Sequence, residues 1–263
     1  MKHTLATALL ATAMLAGHGT GQADTTLRLG GDAEASRTVI QVRGQMARLV
    51  HSDQPGYVLF DSGRNIAIYV DPALKEYREI NQQQLDRYAE VITRLRRQLE
   101  QVSSQLQNLP ELQRAYMEQQ LGIPAGGLPD LEEMTTESHG RARVAGIDCE
   151  IQVLLQDRAP IGEVCLATAA DAGISTQDFA TLMAMMNFMR DLASTTQKMV
   201  GDLGKNSRLL LSGLQGVPVA IKDYRENTEY HVTEVSDKAL DAGVFEQYRG
   251  YQKRELLLNL PKS

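Results

Sequence analysis

Apolar and polar residues alternate over positions 38–51 (TVIQVRGQMARLVH), with Ile40, Val42 and Met46 in one parity and Gln41, Arg43 and Gln45 in the other. A period of two is the pattern of a half-buried strand. Gly44 interrupts it and predicts a bulge or a bend in a curved sheet. Residues 57–60, 66–70 and 74–80 are rich in β-formers, and Asp61-Ser62-Gly63-Arg64-Asn65 and Asp71-Pro72 between them are turn signals. Together these segments predict a four-strand antiparallel meander. Residues 24–36 are polar and Gly-rich and are expected to be a flexible leader.

The period then changes. Leu85, Tyr88, Ile92, Leu95, Leu99, Val102, Leu106 and Leu109 are spaced alternately three and four apart, with Arg, Glu and Gln between them. That stripe predicts a long amphipathic helix. Asn108 and Pro110 open a second helix that Gly122-Ile123-Pro124 ends, so a helical insertion is expected over about 81–122. Two readings of the stripe stay open. It is the buried side of a helix lying across the sheet, or Leu85, Tyr88, Ile92, Leu95, Leu99, Val102 and Leu106 dock a protein partner or a second copy. Residues 124–133 (PAGGLPDLEE) read as a linker.

Residues 144–155 and 161–167 read as a hairpin around a turn at 157–160. It carries both cysteines of the chain. A turn centred on Asp157 sets Cys149 opposite Cys165, within reach of a cross-strand disulfide. Closing that loop contributes about 3 kcal/mol in the chain-entropy account. A redox-active pair, the alternative, usually needs the closer Cys-x-x-Cys spacing. A third helix is expected over 175–200, with Ser175 at its start and Asp178 as the acid of its first turn. Gly201 and Gly204 stop it, and strands are expected over 217–224, 228–235 and 248–258.

Residues 1–23 (MKHTLATALLATAMLAGHGTGQA) have the form of a secretory signal: Lys2, an apolar run, then small-x-small at Gly21-Gln22-Ala23. Cleavage is expected after Ala23, giving a periplasmic protein that is not an integral membrane protein. Export favours pairing of the two cysteines. With a net charge of −6, no tryptophan and four phenylalanines, the chain lacks the basic face that nucleic acids or anionic membranes require.

The residues GQMARLV, YVLFD, IAIYVDPALKEYREI, AGIDCEIQVLL, GEVCLA and GVPVAI, in that order, resemble an uncharacterised group of exported bacterial proteins allied to the LolA-like lipoprotein-carrier fold. The resemblance implies an α+β fold in one domain, residues 37–260, in which a strongly curved antiparallel sheet forms an incomplete barrel covered by helices. It also implies a cavity for acyl chains or other apolar ligands. Cys149 and Cys165 match cysteine-bearing strands of that group. The resemblance supplies no catalytic residue.

Catalytic patterns are otherwise absent from the sequence. His51, His139 and His231 stand apart without a motif, no Gly-x-Ser-x-Gly elbow occurs, and 201–205 (GDLGK) lacks phosphate-loop spacing. No enzyme activity and no cofactor are expected. The methionines of the third helix are more informative. Phe179, Leu182, Met183, Met186 and Met189 form an apolar stripe that Met185, Phe188 and Leu192 broaden. Such a stripe is ordinary core, an adaptable plug over a ligand cavity, or a thioether site for copper(I). The carrier reading sets Phe179, Leu182, Met183, Met186 and Met189 opposite Ile40, Val42, Met46, Ile66 and Ile68, around an apolar small molecule, lipid or lipoprotein-like acyl chain.

Overall fold

The computed structural model describes residues 24–31, 37–52, 54–121, 134–200 and 214–255. The expected export signal, the expected 124–133 linker, the glycines at 201 and 204 and the end of the last expected strand lie outside these residues. Strands β1 (Thr25–Gly31), β2 (Arg37–Arg43), β3 (Met46–His51), β4 (Tyr57–Asp61), β5 (Ile66–Asp71) and β6 (Glu76–Asn81) precede helices α1 (Gln82–Leu106) and α2 (Glu111–Leu121). Then come β7 (Met134–Val144), β8 (Ile147–Gln156), β9 (Ala159–Ala167) and helix α3 (Thr176–Val200). The chain closes with β10 (Val217–Asp223), β11 (Thr228–Ser236), a short α4 (Gly243–Glu246), a 3-10 turn (Gln247–Gly250) and β12 (Gln252–Arg254).

The fold is α+β. All twelve described strands belong to one sheet, ordered β12-β6-β5-β4-β3-β2-β1-β11-β10-β9-β8-β7. Among them only β12 runs parallel to its neighbour; the other pairings are antiparallel. β12 and β7 are the edges, and the sheet is neither closed nor strongly curled. The strongly curved incomplete barrel of the expectation is thus replaced by an open sheet.

Four local expectations are corrected. The supposed leader contains β1, which pairs with β2 on one side and β11 on the other. Its Leu27 and Leu29 are buried while Arg28 is exposed, so a short alternation is hidden among threonines and glycines. Residues 38–51 are two strands. Arg43 pairs with Met46, leaving Gly44 and Gln45 as a two-residue turn, with Gly44 at φ +58°. Glycine at the first position of such a turn relieves the left-handed strain. The hairpin at the cysteines is a three-strand unit, because Ala145 and Gly146 turn β7 into β8. β7 is exposed along most of both faces, which removes the alternation that marks a strand. Finally, residues 248–250 belong to a 3-10 turn, and among the described residues of this expected strand Gln252–Arg254 is strand.

The sheet buries apolar residues on both faces. Phe60 and Leu59, neighbours on β4, belong to different cores, as successive strand residues must. The main core gathers Leu27, Val42, Phe60, Leu182 and Phe188 between the sheet and the helices. On the other face Leu59, Ile68 and Val70 pack against Phe245 and Tyr248 of the C-terminal segment. A third, smaller core holds Leu154, Ile161, Val164 and Leu166.

Candidate apolar ligand site

Helix α3 starts where the Ser175 hydroxyl accepts the Asp178 amide at 3.1 Å, the N-cap bond expected there. Thr181 fastens the helix to the sheet by donating to the Gly44 carbonyl at 2.6 Å. Further along, Phe188 packs on Phe60 with ring centroids 5.6 Å apart. These contacts hold one face of the helix over β2, β3 and β4, and Leu182, Met185 and Phe188 are each no more than 3% exposed.

Between this helix and the sheet lies an apolar cavity of about 230 Å³. Met185, Met186 and Met189 form its helical wall. Leu29, Ile40 and Leu49 line it from β1, β2 and β3, and Val164, Pro218 and Ile221 from β9 and β10. Leu214 adds to the apolar lining, and Thr38, His51 and Tyr230 are its polar members. An apolar wall with few polar groups suits an apolar guest. Three unbranched thioethers give that wall adaptable shape.

The ten residues expected to line one cavity are divided among several places. Ile40, Met186 and Met189 are in the wall. Val42, Leu182 and Met183 are buried in the main core, and Phe179 packs beside it, lining a hollow next to Cys149 instead. Met46, Ile66 and Ile68 are on the opposite face with Phe245 and Tyr248. The β2–β3 turn explains Met46. It pairs with Arg43, and Val42 pairs with Ala47, so counting parity through the turn reverses the face.

Leu29 escapes the sequence reading because β1 has the composition of a leader. Val164, Pro218, Ile221 and Tyr230 escape it because the β9–β10–β11 pairing that brings them here is long-range. Met185 carries a readable signal, four residues before Met189 on one helix face.

The Leu85–Leu106 stripe is occupied within the chain. Asn81 and Gln84 form a capping box at the start of α1. Leu85, Ile92 and Leu106 are buried, Tyr88, Leu95, Leu99 and Val102 half-buried, and α1 packs along α3 and against α2. Helix α2 instead exposes Leu112 (88%) and Tyr116 (62%).

Two larger hollows have linings of mixed polarity. One of about 510 Å³ lies at the β6–β12 edge, where Lys253 is paired with Glu79 and Arg254 with Glu76. The other, of about 680 Å³, lies beside Cys149 and includes Arg141, Asp148 and Glu150. The disulfide Cys149–Cys165 is formed, and both residues are 5% exposed. Among the described residues no three His, Cys, Asp or Glu side chains converge as metal ligands, and no helix is long and apolar enough to cross a membrane.

A protein-family profile, Domain of unknown function (DUF4412), matches residues 89–251. No curated protein matches the chain significantly in sequence. Among solved structures, an uncharacterized conserved protein from Thermus thermophilus aligns over 89% of this chain and 91% of its own, at 7% identity and TM-score 0.39. A putative outer membrane lipoprotein-sorting protein domain from Vibrio parahaemolyticus aligns over 87% and 91%, at 11% identity and TM-score 0.26. A LolA superfamily protein from Nitrosomonas europaea aligns over 84% and 87%, at 7% identity and TM-score 0.23.

Proposed function

The chain belongs to the DUF4412 family, and we propose that it is an exported, non-catalytic binding protein that takes an apolar chain into the cavity between α3 and the sheet. The carrying observation is the cavity, about 230 Å³ in volume, with Met185, Met186 and Met189 over Leu29, Ile40 and Leu49. Burial of apolar area contributes roughly 2.5 kcal/mol per 100 Å², so affinity comes from enclosure rather than from hydrogen bonds.

The volume lies below the range of about 300–1,000 Å³ that holds whole small molecules. The guest is therefore one acyl chain, or the end of one, rather than a multi-chain lipid anchor. That is the apolar ligand class implied by the resemblance to lipoprotein carriers, narrowed to a single chain.

Native mass spectrometry of purified protein, with lipid extraction and a fluorescent fatty-acid titration, tests this reading. One acyl chain per protein and saturable binding are expected. A protein that carries no lipid and shows no saturable uptake would overturn it.

A second reading rests on the same wall. Met185, Met186 and Met189 share the cavity with His51, and thioethers with an imidazole suit copper(I). Competition with a copper(I) chelator under anaerobic conditions separates the two readings, because an acyl carrier leaves the metal with the chelator. Docking through the Leu85–Leu106 stripe has less support, since that stripe covers α3 in the same chain. A self-associating dimer in sedimentation, disrupted by Leu95→Glu without unfolding, would restore it.

A further inference from the structure

The start of β1 and the start of α3 meet at a buried carboxyl group with one unmatched oxygen. Asp178 is 0% exposed. Its Oδ2 accepts the Thr25 hydroxyl at 2.7 Å, and the Gly44 backbone and the Ser175 hydroxyl are close enough to favour its charged form, but Oδ1 has no hydrogen-bond partner of normal geometry among the described residues. A dry, unpaired carboxylate oxygen is costly, and a cation or a proton relieves it.

The charged neighbours do not supply the cation. Asp24, 6% exposed, is a second carboxylate. Its Oδ2 accepts the Leu240 amide at 2.6 Å, and its Oδ1 is 3.9 Å from Arg43 Nε. Arg43 itself donates to the Leu240 carbonyl at 3.0 Å, toward the C-terminal segment. No described cation is paired with Asp178.

The chain segment at Asp24 runs next to this carboxyl group. Thr25, which holds Asp178, is the next residue, and it pairs with Val42 in the β1–β2 ladder. Asp24 therefore begins beside Arg43 and the Gly44 turn, whose carbonyl is held by Thr181 of α3. Immediately before Asp24 the sequence reads Gly21-Gln22-Ala23, the small-x-small pattern of a signal cleavage site.

We propose that Asp178 is the receptor for a new N-terminus: cleavage after Ala23 frees an α-ammonium on Asp24 that pairs with Asp178 Oδ1 and fastens β1 to α3. A signal-type endopeptidase adds water across the Ala23–Asp24 bond. Hydroxide goes to the Ala23 carbonyl carbon, giving its carboxylate, and the Asp24 nitrogen leaves as an amine that takes up a proton. In the uncleaved chain that nitrogen is a neutral amide and cannot neutralise Asp178. Maturation thus stabilises the fold as well as releasing it. The inference rests on the export signal and is independent of any ligand.

The test compares protein beginning at Asp24 with protein retaining Gly21-Gln22-Ala23, each with Asp178 and with Asp178→Asn, by thermal unfolding at pH 7. Intact mass of the exported protein should first give a chain starting at Asp24. Retaining the tripeptide should lower the Tm by roughly 2–4 °C in the Asp178 chain, the shift typical of a modest interaction in a domain this size, and leave the Asp178→Asn chain unmoved.

A measurement needing no variant is the α-amino pKa of Asp24 by NMR. It should lie about one unit or more above the ordinary value of about 7.7–8.0. A different start residue, an equal Tm shift in both backgrounds, or an ordinary α-amino pKa would overturn the proposal.

Discussion

Cys165 stands opposite Ile151 in the β8–β9 ladder and bonds Cys149 two residues along, with α-carbons 5.4 Å apart. The offset has a local cause. Asp157 and Arg158 make the turn at φ 50° and 67°, and a register shift between Leu154 and Leu155 then moves every later pair. Reduction, or replacement of both cysteines by serine, is expected to lower the unfolding free energy by about 3 kcal/mol for a loop of this length. Urea titration with and without reductant measures it, and identical midpoints would mean the bond is absent or idle.

Leu27 is fully buried on a strand flanked by two others. Leu27→Ala should cost about 3–4 kcal/mol, as buried leucines do. Leu74→Ala, at a position 63% exposed, should change stability by under about 0.5 kcal/mol. Equal effects in chemical denaturation would return residues 24–31 to the status of a leader.

Met186 lines the cavity and is only half-buried. Met186→Trp should fill the space, weakening acyl-probe binding by about tenfold or more, which is roughly 1.4 kcal/mol. The fold should survive, shown by an unchanged circular dichroism spectrum. Undiminished probe binding in a folded Met186→Trp protein would move the ligand elsewhere.

Phe245 is 5% exposed and packs in the core that holds Ile68, Leu59 and Tyr248. Phe245→Ala should cost about 3–5 kcal/mol with probe binding per folded molecule unaffected, since that core is on the other face from Met186. Parallel denaturation and binding titrations check both halves. Loss of binding in the folded variant would show that the two faces are coupled.

Burial, first, and the charge of Asp24 raise the Asp178 pKa above its ordinary value, against the opposing influence of the Thr25 hydroxyl bond and of the nearby Gly44 backbone and Ser175 hydroxyl. The folded chain with an amide at Asp24 therefore holds this proton more tightly than the unfolded one. Its stabilising contribution is complete below the unfolded carboxyl pKa, about 3.9, and is lost as pH rises through the higher folded value. In protein retaining Gly21-Gln22-Ala23, Asp178→Asn should flatten that decline in a series of urea melts across pH. Parallel slopes with and without the carboxyl would show that it does not titrate in this range.

Local patterns are readable wherever one face of an element is greasy and the other wet. The heptad of α1 is of this kind, whereas β4 and β5, buried on both faces, are legible as short runs of β-formers between turn signals. β7 is not readable, because most of it is exposed on both faces. Nor is β1, because Thr25, Thr26, Gly30 and Gly31 dilute its two leucines. For the candidate site, Ile40, Met186 and Met189 are legible, whereas the β9, β10 and β11 contributions are not.

The sequence by itself determined periods, turns, the cysteine pair and the α+β class, since each depends on residues a few positions apart. Only the tertiary structure decided which strands are neighbours, on which face Met46 and Ile68 fall, and that Thr25 and Asp178, 153 positions apart, meet in the interior. Those outcomes follow from register. One residue gained or lost at a turn reverses every side chain beyond it, and the sum of such choices is settled by packing the whole sheet.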